Sequence, residues 1–171
     1  MNNEIKSLII KCNNPNYPLS YILREAILIS NKVNDQKFSL WATLEKEGYQ
    51  NNIENIPEYR IFNLPIIATS TLLAPEVIHP LANDEYMKKI TSFQLTWKVN
   101  EIESFLESNH YESYSSFNHV KNHEIHEHLH QSIGLRKDVQ FIFKLKLTKS
   151  NLYNTLESIR DKVLDWLIKL I

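Results

Sequence analysis

"DVQFIFKLKLTK" (residues 138–149) is the stretch on which the fold turns. Val139, Phe141, Phe143, Leu145 and Leu147 recur at every second position, with Gln140, Lys144 and Lys146 on the opposite side. Successive side chains of a strand point to opposite faces, so this alternation predicts a strand with one buried face and one wet face. Directly afterwards the period changes. Leu152, Leu156, Ile159, Val163, Trp166, Leu167 and Leu170 recur three and four residues apart, which predicts a helix from an N-cap at Ser150 to Ile171. Its last two turns carry a second apolar row, Leu164, Ile168 and Ile171, on another face. A helix that is apolar on two sides needs two neighbours, so these three residues form a predicted interface with a second copy of the chain or with another module.

Working back towards the start, "HVKNHEIHEHLHQS" predicts a helix, preceded by a polar loop, "NHYESYSSFN". Before these, "NEIESFLES" reads as a helix and "ITSFQLTWKV" alternates as a strand. Residues 49–83 hold most of the prolines and read as loops, with a possible strand in "YRIFNLPIIATSTLL". The first fifty residues predict three helices, the second striped by Leu19, Ile22, Leu23, Ala26, Ile27 and Ile29, and the third stopped by Gly48. This order predicts an α+β fold: a mainly helical N-terminal half, a small antiparallel sheet and a long C-terminal helix, in a single domain over residues 1–171.

Composition narrows the chemistry. The chain has 171 residues, 43% of them hydrophobic, enough to bury a core, and a formal net charge of −1 that argues against bulk attraction to nucleic acid or anionic membrane. Gly48 and Gly134 are the only glycines, which excludes the glycine-rich loops that cradle phosphates and the G-x-S-x-G nucleophile turn. A single cysteine, Cys12, allows neither a disulfide framework nor a cysteine zinc site and is expected to be an inert thiol. With no secretory pattern and no apolar run of membrane-spanning length, the expected location is the cytoplasm, with no cofactor.

One motif demands weighing. "HEHLH" (126–130) satisfies H-E-x-x-H, in which two histidines a helical turn apart hold zinc and the glutamate activates water. His119, His123, His126 and His130 fall within roughly 60° of one helix face, beside an apolar stripe of Ile125, Leu129 and Ile133. Glu157, with Asp161 after it, could supply a third ligand. Against this, Lys121, Glu124 and Glu127 load the helix with charge, Ser132 stands at an apolar position, and Ile133 and Arg136 occupy the glycine and third-histidine positions of the extended motif. The favoured reading is a solvated or pairing histidine face with no metal; the alternative site is His126, His130 and Glu157. Arg136, Lys137, Lys144, Lys146 and Lys149 gather around the long strand, where a solvated sheet face is favoured over weak nucleic-acid contact through Lys144 and Lys146. Ser20, Ser30 and Ser132 lack a nucleophile setting.

"LSYILREAILISNKVNDQKFSLWATLEKEGY" followed by "IPEYRIF" resembles the start of the AbiTii domain of bacterial abortive-infection phage resistance. The family pattern has the form "L..LLRKA..LA..L.N..F..W...EL.GY" and then "LP.YR". Leu23, Arg24, Ala26, Asn34, Phe38, Trp41, Glu45, Gly48, Tyr49, Pro57, Tyr59 and Arg60 fall into it. "ITSFQLTWKVNEIESFL" and "KLKLTKSNLYNTLESIRDKVLDWLIKL" resemble the family's middle segment and closing helix, so the likeness runs nearly the whole chain. It departs in the more apolar "AILIS" and in the histidine helix. The resemblance implies a part in phage defence, as the N-terminal portion of a longer protein or a component of a system, and carries over no catalytic residue. Leu23, Phe38 and Trp41 read as core, and Arg24 and Arg60 as ion-pair or carbonyl clamps, with anion binding the alternative. The expectation is therefore a non-catalytic interaction or oligomerisation module; the rivals are a toxin-type nuclease or metallohydrolase using the His119–His130 cluster, and a nucleic-acid sensor.

Overall fold

Apolar spacing places the helices. In the computed structural model, which describes residues 2–71, 73–79 and 83–171, helices α1 (Asn2–Cys12), α2 (Leu19–Lys32) and α3 (Gln36–Glu47) open the chain. α2 buries Leu19, Ile22, Leu23, Ala26 and Ile29, the predicted stripe with Ile27 only half-buried. Asp35 caps α3 by accepting the Phe38 N–H at 3.0 Å, and Gly48 ends it at φ +83°. Two short 3-10 turns lead to strands β1 (Ile61–Asn63), β2 (Ile66–Thr69) and β3 (Glu76–Ile78). Then come α4 (Glu85–Thr91), β4 (Ser92–Gln94), α5 (Val99–Glu107), β5 (Glu112–Ser116), α6 (His119–Ile133), β6 (Ile142–Thr148) and α7 (Lys149–Ile168). This is the expected α+β fold, with the small antiparallel sheet and the long last helix.

The chain forms two compact units. α1–α3, α5 and α7 make one, from the chain up to Arg60, residues 94–110 and 149–171. Two excursions, 61–93 and 111–148, make the other. In the second unit four antiparallel strands lie in the order β3-β2-β6-β5, with Ala68 opposite Phe143 and Ser113 opposite Leu147. Phe143, Leu145 and Leu147 are buried, as the alternation requires, and α6 packs on β6 through buried Ile125 and Leu129. Asn122 of α6 fastens that contact: its Oδ1 accepts the Phe143 N–H at 2.7 Å.

Several boundaries differ from the sequence expectations. "ITSFQLTWKV" is not one strand, because Asp84 caps a helix that takes its first two residues and only Ser92–Gln94 pairs, with β1. The polar segment before α6 contains a strand, β5, whose support is hydrogen bonding to β6 rather than burial of a face. β6 begins at Ile142, although Val139 and Phe141 are buried ahead of it. Ser150 is not a cap: α7 starts at Lys149, without a break after β6. The possible strand over 59–73 is two strands, β1 and β2, and Leu72 and residues 80–82 of that loop-rich stretch lie outside the described residues.

Candidate functional site

The helical unit holds a buried polar network. Glu45 on α3, Tyr49 just after it and Arg60 are all completely buried. Glu45 Oε2 accepts from Arg60 Nε at 2.9 Å and Nη2 at 2.5 Å, and its Oε1 accepts the hydroxyls of Tyr49 at 2.8 Å and Tyr59 at 2.5 Å. Trp41 Nε1 donates to the Tyr59 hydroxyl at 2.9 Å, completing a chain of donors that ends on the carboxylate. The second amino group of Arg60 donates to the carbonyls of Leu95 and Trp97 at 3.1 and 2.9 Å. A buried charge is tolerated only when paired and hydrogen-bonded, and here both charges are. Burial pushes the Tyr49 and Tyr59 hydroxyls up, and the neighbouring carboxylate pushes them further, so both remain donors. Lys162 Nζ lies 4.4 Å from the Trp41 ring centroid, where desolvation lowers its pKa against the pull of Glu45.

Arg60 is thus an ion pair and a carbonyl clamp together. Arg24 is different: it is exposed, with its guanidinium 5.4 Å from the Tyr21 ring centroid. Phe38 is buried, while Trp41 is half-buried with its N–H satisfied. Burial pushes the Cys12 thiol up to about 11, against the influence of Arg160, so it stays protonated at neutral pH.

The histidine helix lies in the sheet unit. His126 Nε2 donates to the Arg136 carbonyl at 3.0 Å and His130 Nδ1 to the Leu135 carbonyl at 2.7 Å. A carbonyl can only accept, so these bonds require a proton on each of those nitrogens. They tie the turn after Gly134, itself left-handed at φ +74°, back onto α6. Among the described residues no three His, Cys, Asp or Glu side chains gather where they could hold a metal ion. Glu157 belongs to α7 of the helical unit, is exposed, and lies 3.6 Å from Arg160 Nε. His119, His123 and His126, with Phe117, Asn122 and Phe141, line a hollow of about 340 Å³.

Sequence reasoning missed one pair. His128, off the arc of the other four, meets Asp84 Oδ2 at 2.6 Å, with the Tyr86 ring centroid 4.5 Å from the imidazole. Asp84 Oδ1 accepts the Met87 N–H and caps α4. An acid ahead of "EYMKKI" was readable as a cap; its imidazole partner, 44 positions away, was not. No hydroxyl or thiol shares a hydrogen bond with His128 among the described residues.

The basic residues around β6 are mostly engaged. Arg136 pairs with Asp138 and Lys137 with Glu127, Lys146 pairs with Glu112, and Lys149 donates to the carbonyls of Leu106 and Ser108. Lys144 is half-buried on the strand. On α7, Trp166 and Leu167 are buried, Leu164 is half-buried and Ile168 is 57% exposed; the helix ends there, short of the expected Ile171, which lies beyond it and is 69% exposed.

These features define an α+β protein with a satisfied buried ion pair, a histidine helix bonded to its own turn and an apolar row open on its last helix. The chain belongs to the AbiTii family, whose model matches residues 5–171, and so to the proteins of abortive-infection antiviral defence. Neither the curated proteins nor the solved structures hold a match to it. No helix among the described residues is long and apolar enough to cross a membrane.

Proposed function

We propose that this chain serves abortive-infection defence in the cytoplasm as a non-catalytic association module, pairing with a second copy of itself through the end of α7. The observation that carries this reading is the second apolar row. Trp166 and Leu167 fix one face of α7 in its own unit, Trp166 by stacking on Phe38 at 3.8 Å and donating to Asp35 at 2.9 Å. With that rotation set, Leu164 and Ile168 are held on another side and Ile171 follows beyond the helix end, and Ile168 and Ile171 leave apolar surface in water that an interface would cover. A patch that runs from the last turns of a helix into the residues after it suits a two-fold contact, in which the same patch meets its own copy. The non-catalytic part is supported by the employment of His126 and His130 as donors to carbonyls and by the pairing of Glu127 with Lys137 at 3.4 Å.

Light scattering at tens of micromolar tests it, beside a phage-protection assay of the complete system. The expected result is a dimer that Leu164→Glu with Ile168→Glu converts to a folded monomer with lost protection, while Glu127→Gln protects normally. A monomeric parent whose double variant still protects would sink the association reading. Loss of protection in folded Glu127→Gln would favour the toxin-type enzyme instead.

A further inference from the structure

Two hollows adjoin on α5 of the helical unit and share Asn100. The smaller, about 240 Å³, is lined by Arg24, Lys46 and Lys98 with Glu47 as its only carboxylate. Lys46 pairs with Glu47 at 2.5 Å, whereas Arg24 and Lys98 have no carboxylate at ion-pair distance among the described residues. The hollow therefore carries a net positive charge within a chain whose total is −1. Glu101 accepts the Lys98 N–H at 2.9 Å, so the side-chain cations rather than the free end of α5 supply the field. The larger hollow, about 560 Å³, is lined by the rings of Trp97, Phe105 and His110 together with polar side chains, Glu101 among them. Trp97 meets Phe105 edge-on at 5.7 Å, and His110 stacks on Phe105 at 6.4 Å. Trp97 and Phe105 are half-buried and His110 is exposed, so part of each ring remains accessible to a ligand.

The segment joining the hollows is held in place. A Cβ on Gly48 would stand 2.7 Å from the Thr96 carbonyl and 3.2 Å from Lys98 Cγ, so only glycine allows residues 96–98 to lie against the end of α3. From beneath, the buried Arg60 guanidinium grips the Leu95 and Trp97 carbonyls. Lys98 is thereby fixed beside the cations while Trp97, its neighbour, faces the aromatic hollow, and a site built on such a clamped segment is preorganised.

We propose that this face of α5 binds single-stranded nucleic acid, with a phosphate among Arg24, Lys46 and Lys98 and the adjoining base stacked on Trp97 beside Phe105. Cations that track a backbone beside rings that stack bases are the two components of single-strand recognition. The larger hollow is open and the smaller, at about 240 Å³, is too small to enclose a nucleotide, whereas a strand gains from successive contacts. The assignment goes beyond the association role and rests on different residues from the β6 lysines.

Fluorescence anisotropy of a labelled oligothymidylate on the full chain, titrated at several salt concentrations, tests it. Binding should weaken as salt rises. Arg24→Ala with Lys98→Ala should lower the slope of log affinity against log salt by roughly 0.7, the contribution of the one phosphate contact these cations make. Trp97→Ala should lower affinity about fivefold or more with little change in slope, and Phe105→Leu, which keeps apolar volume, should weaken binding without disturbing the fold. Lys144→Ala with Lys146→Ala should bind as the parent does. The proposal is overturned by absence of binding at low salt, by a slope the double variant leaves unchanged, or by loss of binding in the β6 variant instead. Equal affinity for duplex, or ATP competing as well as the oligonucleotide per nucleotide, would also overturn it.

Discussion

Replacing Arg60 by methionine leaves the Glu45 carboxylate completely buried, with only the Tyr49 and Tyr59 hydroxyls donating to it, and leaves the Leu95 and Trp97 carbonyls without their guanidinium partner. Breaking one side of a buried pair costs about 3–5 kcal/mol, because the remaining charge has lost its counter-charge without regaining water. For a chain of 171 residues each kcal/mol moves the melting temperature by about 2–4 °C, so Arg60→Met should melt about 10–15 °C below the parent. Removing both charges behaves differently. Glu45→Leu with Arg60→Met leaves no buried charge and should recover part of the loss, giving a coupling energy above about 1 kcal/mol in the double-mutant cycle. Thermal and urea denaturation followed by circular dichroism measure all four corners. An Arg60→Met protein melting within a few degrees of the parent, or a double variant whose loss equals the sum of the singles, would refute the reasoning.

Two further predictions concern single positions. Burial raises the Asp84 carboxyl pKa, but hydrogen bonds from His128 and the Met87 N–H, together with the imidazole charge, outweigh it and hold it below the ordinary aspartate value. A depressed folded pKa stabilises at pH above the unfolded value, about 3.9, and that stability is lost as pH falls through the folded value. Asp84→Asn should therefore melt a few degrees below the parent near neutral pH, with the gap closing below about pH 4; a gap constant into acid would contradict this. Gly48→Ala meets left-handed strain and the Thr96 carbonyl at once, whereas a Cβ on Gly134 meets nothing within 4 Å. Gly48→Ala should cost about 2–3 kcal/mol and Gly134→Ala about 1 kcal/mol, and equal losses in denaturant titrations would show that the close approach does not matter.

The elements legible in the sequence are those whose period reports burial of a face. β6 and α7 were readable because Phe143, Leu145 and Leu147, then Leu152, Leu156, Ile159 and Val163, are buried at the spacing of their element. Segment 90–99 shows why alternation can mislead. Leu95 is completely buried and Trp97 half-buried, two positions apart, yet residues 95–98 join no ladder and Val99 already opens α5. Its Leu95 and Trp97 carbonyls accept from the Arg60 side chain and its Thr96 carbonyl from the Tyr49 N–H, so the alternation of burial came without strand pairing. β5 failed in the opposite way: Glu112–Ser116 buries no residue fully, so its pairing with β6 left no hydrophobic signal.

The site was legible in kind but not in pairing. The sequence could offer ion pairing for Arg60 but could not supply Glu45, fifteen positions earlier, because nothing in residue type tells which carboxylate a turn brings underneath. The histidines illustrate the reverse error. H-E-x-x-H requires both imidazoles to turn lone pairs to one point, whereas His126 and His130 give protons to successive carbonyls of the turn they themselves precede. The turn after the left-handed glycine leaves its own carbonyls, at Leu135 and Arg136, outside the helix ladder, and imidazoles one turn apart can satisfy them in adjacent steps. The i, i+4 spacing that would serve a metal also serves that turn, so the motif records the geometry of a helix face and leaves the chemistry to whatever lies opposite it.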